Sequence, residues 1–195
     1  MIRGVAACAV LLLAGGCATL PPPVDAGSWT ERRAELQALQ SWALDGRVAV
    51  ATATEGFSGG LAWRQDGALA EINLRGPLGG TALSIRLDGA EMTVTDGNGV
   101  SIAGEDARAY VASQMGAALP VAQLRYWLVG VPAPGLAHQE TVGGDGRLAG
   151  LEQAGWQLRY SRYAAVGRLA LPIRIEIESE TARLRLVVSS WQFPP

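Results

Sequence analysis

The chain of 195 residues contains no lysine, and all sixteen of its basic residues are arginine. Schiff-base chemistry, a lysine general base and the phosphate-binding lysine of a P-loop are therefore excluded. There is one histidine, His138, and there are two cysteines, Cys8 and Cys17. A zinc-type site usually assembles three or four such ligands, so no cluster of that kind can be built from this set. His138 stands in "PAPGLAHQE", just after a Pro-rich stretch, and reads as a surface or strand-end residue rather than a general base. The eighteen Asp and Glu residues are scattered singly, as solvated faces usually are. A net charge of −2 gives no electrostatic footprint for nucleic acid. The serine-bearing stretches "FSGG" and "SSW" lack the G-x-S-x-G elbow of a hydrolase. No enzyme, metal or cofactor is expected from this inventory.

What is present is apolar: 49% of the residues are hydrophobic, enough for one domain with a sizeable core. The first stretch, "MIRGVAACAVLLLAGGC", has a positive charge at Arg3, an apolar run from Val5 to Leu13 and small residues before Cys17. That run is shorter than the ~20 residues a membrane-spanning helix needs, and the pattern is that of a secretory signal peptide. A cysteine after small residues at the end of the run resembles the lipobox of bacterial lipoproteins. There the peptide is cut before the cysteine, whose sulfur and new amino group become acylated. Residues 1–16 are thus expected to be removed, leaving Cys17 as the lipid-attachment residue and the only thiol, so no internal disulfide can form. Leu13 lies four residues before Cys17, where the lipobox prefers three. Ala18 follows, instead of the aspartate typical of inner-membrane retention, so the resemblance implies the outer membrane. Residues 17–27 contain "TLPPPVDAG", a Pro-rich tether with a reach of about 25–30 Å when extended.

The folded domain spans 28–195. Ser28 and Glu31 form a capping-box pattern that opens a helix carrying Leu36 and Leu39 and ending near Trp42. The period then becomes two. Val48 and Val50, then Phe57, Leu61 and Trp63, then Ile72 and Leu74, Leu83 and Ile85, Met92 and Val94, and Val100 and Ile102 mark about six short strands joined by tight turns. Between about Glu105 and Gly130 the pattern is helical. Ala107, Val111 and Met115 share one face, Leu124, Trp127 and Leu128 another, and Pro120 sits in the first turn of the second helix. A second meander follows: Trp156, Leu158 and Tyr160 alternate, as do Ile173, Ile175 and Ile177, and Leu184, Leu186 and Val188. The expected fold class is α+β, mainly antiparallel β, with the mid-chain helices over the concave apolar face of a curved sheet. A tight fit gives an ordinary core; a loose one leaves a cavity for an apolar ligand.

Several stretches together resemble one family: "GRVAV", "GGLAWRQ", "LRGPLGGTALSI", "LPVAQLRYWLVGVPAP", "LEQAGWQLRY" and the terminal "LRLVVSSW" look like the outer-membrane lipoprotein receptor family LolB, in one order from about Ser28 to Trp191. The resemblance implies an unclosed (half) β-barrel with helices in its mouth. It implies acceptance of acylated lipoproteins from the periplasmic carrier LolA and their release into outer-membrane lipids, with the domain anchored at the periplasmic face and acting as a monomer. In the family a hairpin loop protrudes with an exposed apolar residue that touches the membrane, and Pro77, Leu78 and Gly79 match it; Gly76 departs from a position often polar. The alternative is that Leu78 folds back onto the sheet. Inward-facing candidates for an acyl-chain cavity are Trp63, Ile72, Leu74, Leu83, Ile85, Met92, Tyr110, Leu124, Trp127, Leu128, Trp156, Ile175, Ile177 and Leu186, with the three tryptophans preferred. Plain core packing is the competing role for each. The competing function is a structural or scaffold lipoprotein that binds another envelope protein.

Overall fold

A computed structural model of the chain describes residues 28–76 and 81–193. The signal segment, Cys17, the tether and Pro77, Leu78 and Gly79 lie outside the described residues.

Helix α1 (Trp29–Gln37) starts with the reciprocal capping box: the Ser28 side chain accepts from the Glu31 N–H, and the Ser28 N–H donates to the Glu31 carboxylate at 2.9 Å. Six strands follow: β1 (Ser41–Ala51), β2 (Gly56–Asp66), β3 (Leu69–Arg75), β4 (Thr81–Asp88), β5 (Glu91–Asp96) and β6 (Ser101–Ala103). Two helices, α2 (Gly104–Met115) and α3 (Val121–Leu128), precede the second meander. Its strands are β7 (His138–Val142), β8 (Leu148–Gln153), β9 (Trp156–Val166), β10 (Leu169–Glu178) and β11 (Arg183–Gln192).

All eleven strands form one antiparallel sheet in the order β6-β5-β4-β3-β2-β1-β11-β10-β9-β8-β7. The two meanders are joined where the first strand pairs with the last, Val48 opposite Leu186 and Val50 opposite Leu184. The edges β6 and β7 do not pair with each other, so the barrel is unclosed. In chain order α2 and α3 stand between those two edges, and they close over the concave face. This is the half-barrel that the family resemblance implies, and the covered antiparallel sheet that the residue pattern predicts.

Period-two burial selects the concave face. Leu61, Trp63, Ile72, Leu74, Leu83, Ile85, Ile175, Ile177, Leu184 and Leu186 are all buried, while their chain neighbours face out or lie half-buried. At the end of the sheet where β1 begins, Trp42 stacks on Trp63 with centroids 5.9 Å apart and meets Trp191 edge-on at 5.5 Å. Close strand approach explains one glycine. A Cβ at Gly46 would lie 2.4 Å from the Val187 carbonyl oxygen, beside the bulge where the β1–β11 register shifts.

The structure departs from the sequence reading in three places. The first helix stops at Gln37, not near Trp42, because Trp42 pairs opposite Gln65 in the ladder and joins the tryptophan cluster. Val100 is 58% exposed and belongs to the β5–β6 turn, where its N–H donates to Asp96 Oδ1 at 2.9 Å; only Ser101–Ala103 form the strand. Strand β7 has no counterpart in the hydrophobic pattern, since an edge strand exposed along most of its length carries no alternation.

Candidate functional site

Side chains from six neighbouring strands and both lid helices converge on one void. Its lining comprises Val48 and Val50 of β1, Leu61 and Trp63 of β2, Ile72 and Leu74 of β3, Ile85 of β4, Ile177 of β10 and Leu184 and Leu186 of β11. Val111 and Met115 of α2, Leu124, Val121 and Leu128 of α3 and Leu119 between the helices complete it. Every one of these is apolar. The cavity measures about 70 Å³, and a void with no polar partner for water stays dry.

Of the residues the sequence singled out, Trp63, Ile72, Leu74, Ile85, Leu124, Leu128, Ile177 and Leu186 line this void. The other six do not. Leu83 and Ile175 are buried elsewhere in the core, Met92 faces a groove beside α2, and Tyr110 is half-buried on α2. Trp156 lines an outer cleft with His138 and Glu180. Trp127 is fully buried and donates its indole N–H to Gln153 Oε1 at 2.7 Å. Eight lining residues were not among the candidates: Val48, Val50, Leu61, Val111, Met115 and Leu184, read only as apolar-face residues, and Leu119 and Val121, which flank Pro120, the N-cap of α3, where neither helical nor strand period is expressed.

The lid is held unevenly. At the C-terminal end of α3, Gln153 accepts from Trp127 and from the Ala133 N–H at 2.8 Å, and donates back to the Ala133 carbonyl at 2.9 Å. The Tyr160 hydroxyl donates to the Trp127 carbonyl at 2.9 Å, and Gln37 Nε2 to the Pro132 carbonyl at 2.9 Å. Burial, then the neighbouring Tyr163, pushes the Tyr160 phenol well above its ordinary range, keeping it a neutral donor. Helix α2 has one side-chain tie to the sheet side among the described residues, from Arg108 to the Ala90 carbonyl. The rest of its hold on the sheet is apolar packing through Ala107, Val111 and Met115. Gly116 ends α2 in the left-handed conformation at φ 70°, where a side chain would crowd Thr52 of the β1–β2 turn.

Along one edge the void meets a groove of about 520 Å³ that shares Val111, Leu119 and Val121 with it. The groove runs between α2, the start of α3 and the β4–β5 turn; Met92, Val111 and Val121 are its buried lining, and the small residues Ala109, Ala112, Ala118 and Ala122 are its more exposed part. His138 opens β7, with Nδ1 3.0 Å from the Leu136 carbonyl oxygen and Nε2 3.5 Å from Glu140. Arg125 lies over the Tyr126 ring at 4.8 Å. Among the described residues no group of three or more His, Cys, Asp or Glu side chains is placed to hold a metal ion.

An open antiparallel half-barrel whose concave face encloses a wholly apolar void under a helical lid defines a class of protein built around an apolar interior. The profile of the family described as "Outer membrane lipoprotein LolB" matches residues 40–191. The chain is 36% identical over 196 residues to the outer-membrane lipoprotein LolB of Stutzerimonas stutzeri (strain A1501), covering 96% of this chain and 94% of that protein. It is 37% identical over 201 residues to the protein of the same name from Alkalilimnicola ehrlichii, covering 100% and 97%. The chain belongs to the LolB family of outer-membrane lipoproteins. Among solved structures it is similar in fold to a DUF1329 family protein from Desulfovibrio piger, with a TM-score of 0.60 at 10% identity over 85% of this chain and 90% of that one. It is similar also to a LolA superfamily protein from Nitrosomonas europaea, with a TM-score of 0.54 at 11% identity over 87% and 95%. These two likenesses concern the fold alone.

Proposed function

We infer that this protein is a receptor for acylated lipoproteins at the outer membrane, accepting them from the carrier LolA and passing them into the bilayer. The observation that carries this reading is the void lined by sixteen apolar side chains under helices whose polar ties gather at the C-terminal end of α3, with a single one from α2 among the described residues. An acyl chain crossing water exposes apolar surface at a cost of ~25 cal/mol per Å². A dry apolar interior removes that cost at an intermediate stop, so cargo moves by relative affinity alone.

The resting void, about 70 Å³, is far too small for a lipoprotein's acyl chains, since a drug-sized ligand alone occupies a site of ~300–1,000 Å³. Acceptance therefore requires α2 and the start of α3 to lift. The buried Trp127–Gln153 hydrogen bond serves as the fixed end and the groove beside α2 as the opening edge. Trp63, Ile72, Leu74, Ile85, Leu124, Leu128, Ile177 and Leu186 are then the first side chains a chain end meets.

In the same reading residues 1–16 are removed, and Cys17 carries the lipid anchor on the periplasmic face. Residues 17–27 are the tether and 28–195 the monomeric receptor domain. Leu78, flanked by Pro77 and Gly79, is the apolar tip that enters lipid. No chemical step is assigned to the protein.

The test is transfer of a labelled triacylated lipoprotein from its carrier to residues 18–195, which contain every described element. Stable transfer is expected. A folded domain that takes up no cargo overturns the reading and favours the scaffold alternative.

A further inference from the structure

The outer, convex face carries an arrangement that the cavity does not use. Following the ladder across six strands, Arg162 of β9 lies opposite Arg174 of β10, which lies opposite Val187 of β11. Val187 lies opposite Arg47 of β1, Arg47 opposite Gly60 of β2, and Gly60 opposite Arg75 of β3. Directly paired residues project to the same side of a sheet, so these six positions form one transverse row. All four arginines are exposed, and Val187 between Arg174 and Arg47 is 44% exposed. Five strand spacings of ~4.8 Å make the row about 24 Å long.

The charges of this row stand out against their surroundings. Among the described residues Arg47, Arg75, Arg162 and Arg174 have no ion pair or side-chain hydrogen bond. In the adjoining row Arg185 and Arg159 flank Glu176 at 3.6 and 3.9 Å, and beyond it Arg183 and Arg159 reach Glu178 at 2.9 and 3.3 Å. Those rows neutralise themselves. Here Arg162 and Arg174 face each other directly, an arrangement that destabilises a sheet, and no carboxylate occupies the row. The protein carries a net charge of −2, so an uncompensated cationic band is a local feature rather than a general one.

We propose that this arginine row is a binding surface for anionic phospholipid headgroups, which seats the convex face on the bilayer and leaves the lid turned toward the periplasm. Guanidinium groups bind phosphate through paired N–H donors, and their long stems let them reach a surface from a curved face. The row is spread over six strands rather than gathered into one pocket, with its Arg75 end on a groove of about 270 Å³ that also holds Asp45, Arg64 and Glu71. A lipid surface offers phosphates at any spacing and needs no single pocket. Gly60 and Val187 leave the band low and partly apolar at its centre, suited to a headgroup layer. The row also ends at Arg75, just before the Pro77–Gly79 loop proposed above to touch the membrane. The inference rests on the membrane-tethered reading only for the location of the bilayer.

Residues 18–195 test it without cargo or carrier. The protein is sedimented with vesicles of phosphatidylcholine alone, or of phosphatidylcholine with phosphatidylglycerol, at low and at high salt. Binding is expected with phosphatidylglycerol, weakened by salt. The exposed double variant Arg47→Gln/Arg174→Gln should lose about thirty-fold in affinity, from ~1 kcal/mol per arginine near an anionic surface. Its thermal midpoint should match the parent's, and Arg159→Gln/Arg185→Gln should lose far less. Equal binding by the Arg47/Arg174 variant and the parent overturns the proposal. So does absence of binding to phosphatidylglycerol, and retention on immobilised polyglutamate in that case assigns the row to an acidic protein instead. Cargo transfer is read separately, so failure of the receptor function leaves this result interpretable.

Discussion

The indole N–H of Trp127 and the amide oxygen of Gln153 meet at 2.7 Å, both side chains buried and 26 residues apart in sequence. This bond fixes one end of the lid to β8. Gln153→Leu removes the acceptor for both Trp127 and the Ala133 N–H, leaving two buried donors without a partner. Each such orphan costs ~1–3 kcal/mol, so the variant should lose about 2–6 kcal/mol of stability by urea denaturation. Trp127→Phe, which removes a donor instead, should cost less through hydrogen bonding and leave only a packing defect.

The free end of the lid offers a reversible lock. A Cβ at Gly116 would lie 3.0 Å from Thr52 Cγ2 and 3.1 Å from Oγ1, close enough for a disulfide between cysteines at the two positions. Residues 18–195 contain no other thiol. Thr52→Cys/Gly116→Cys should accept cargo when reduced and lose acceptance when oxidised, with recovery on adding reductant. The left-handed backbone at Gly116 makes the pair less stable than the parent by an estimated ~1–3 kcal/mol, so the comparison that matters is oxidised against reduced. Undiminished acceptance by the oxidised form would show that α2 need not move.

Much of this architecture is legible in the sequence because it is written in period two. The concave residues of β2, β3, β10 and β11 follow it, and so do six of the eight cavity-lining side chains the sequence singled out, the other two, Leu124 and Leu128, lying on α3. The lid helices declare themselves through Ala107, Val111 and Met115 and through Leu124, Trp127 and Leu128. Three kinds of information were not local. Strand β7 is an edge exposed along most of its length, so no alternation marks it. Trp42 is claimed by β1 through its ladder pairing and tryptophan contacts, against the helical tendency that precedes it. The positions of Trp127 and Trp156 off the void depend on where a helix docks and where a hairpin ends. Large aromatic rings attract attention in a sequence, yet Trp127 serves as a buried hydrogen-bond donor.

A charge on the 76–80 loop should separate two steps of the proposed cycle. Leu78→Glu is expected to leave acceptance from the carrier largely intact and to slow delivery into liposomes, since burying a carboxylate in lipid is costly. Both steps are measured on one preparation with a labelled lipoprotein. Equal loss of acceptance and delivery would point to a folding defect and remove the loop's assigned role.

Two tyrosines should report the integrity of the region under the lid. Burial, then Asp145, raises the Tyr163 phenol, with Arg147 and Arg32 opposing, and burial raises Tyr160 well above the ordinary value. Folded-state pKa values above the unfolded ones mean that the neutral phenols favour the fold fully below ~10, the usual phenol value. That contribution declines as pH rises through and beyond it. Alkaline titration at 295 nm should show fewer than four tyrosinates in the folded protein, and the missing signal should emerge on unfolding. Four ionisations before any loss of structure would contradict the buried hydrogen bonds to Trp127 and Leu148.

The most direct measurement places a photoreactive group on an acyl chain of the cargo and maps its covalent products after transfer from the carrier. Attachment to Trp63, Leu74, Ile85, Leu124 or Leu128 is the result expected if the concave void opens to shelter the chain. Attachment confined to outward-facing residues, with those five unlabelled, would contradict the account.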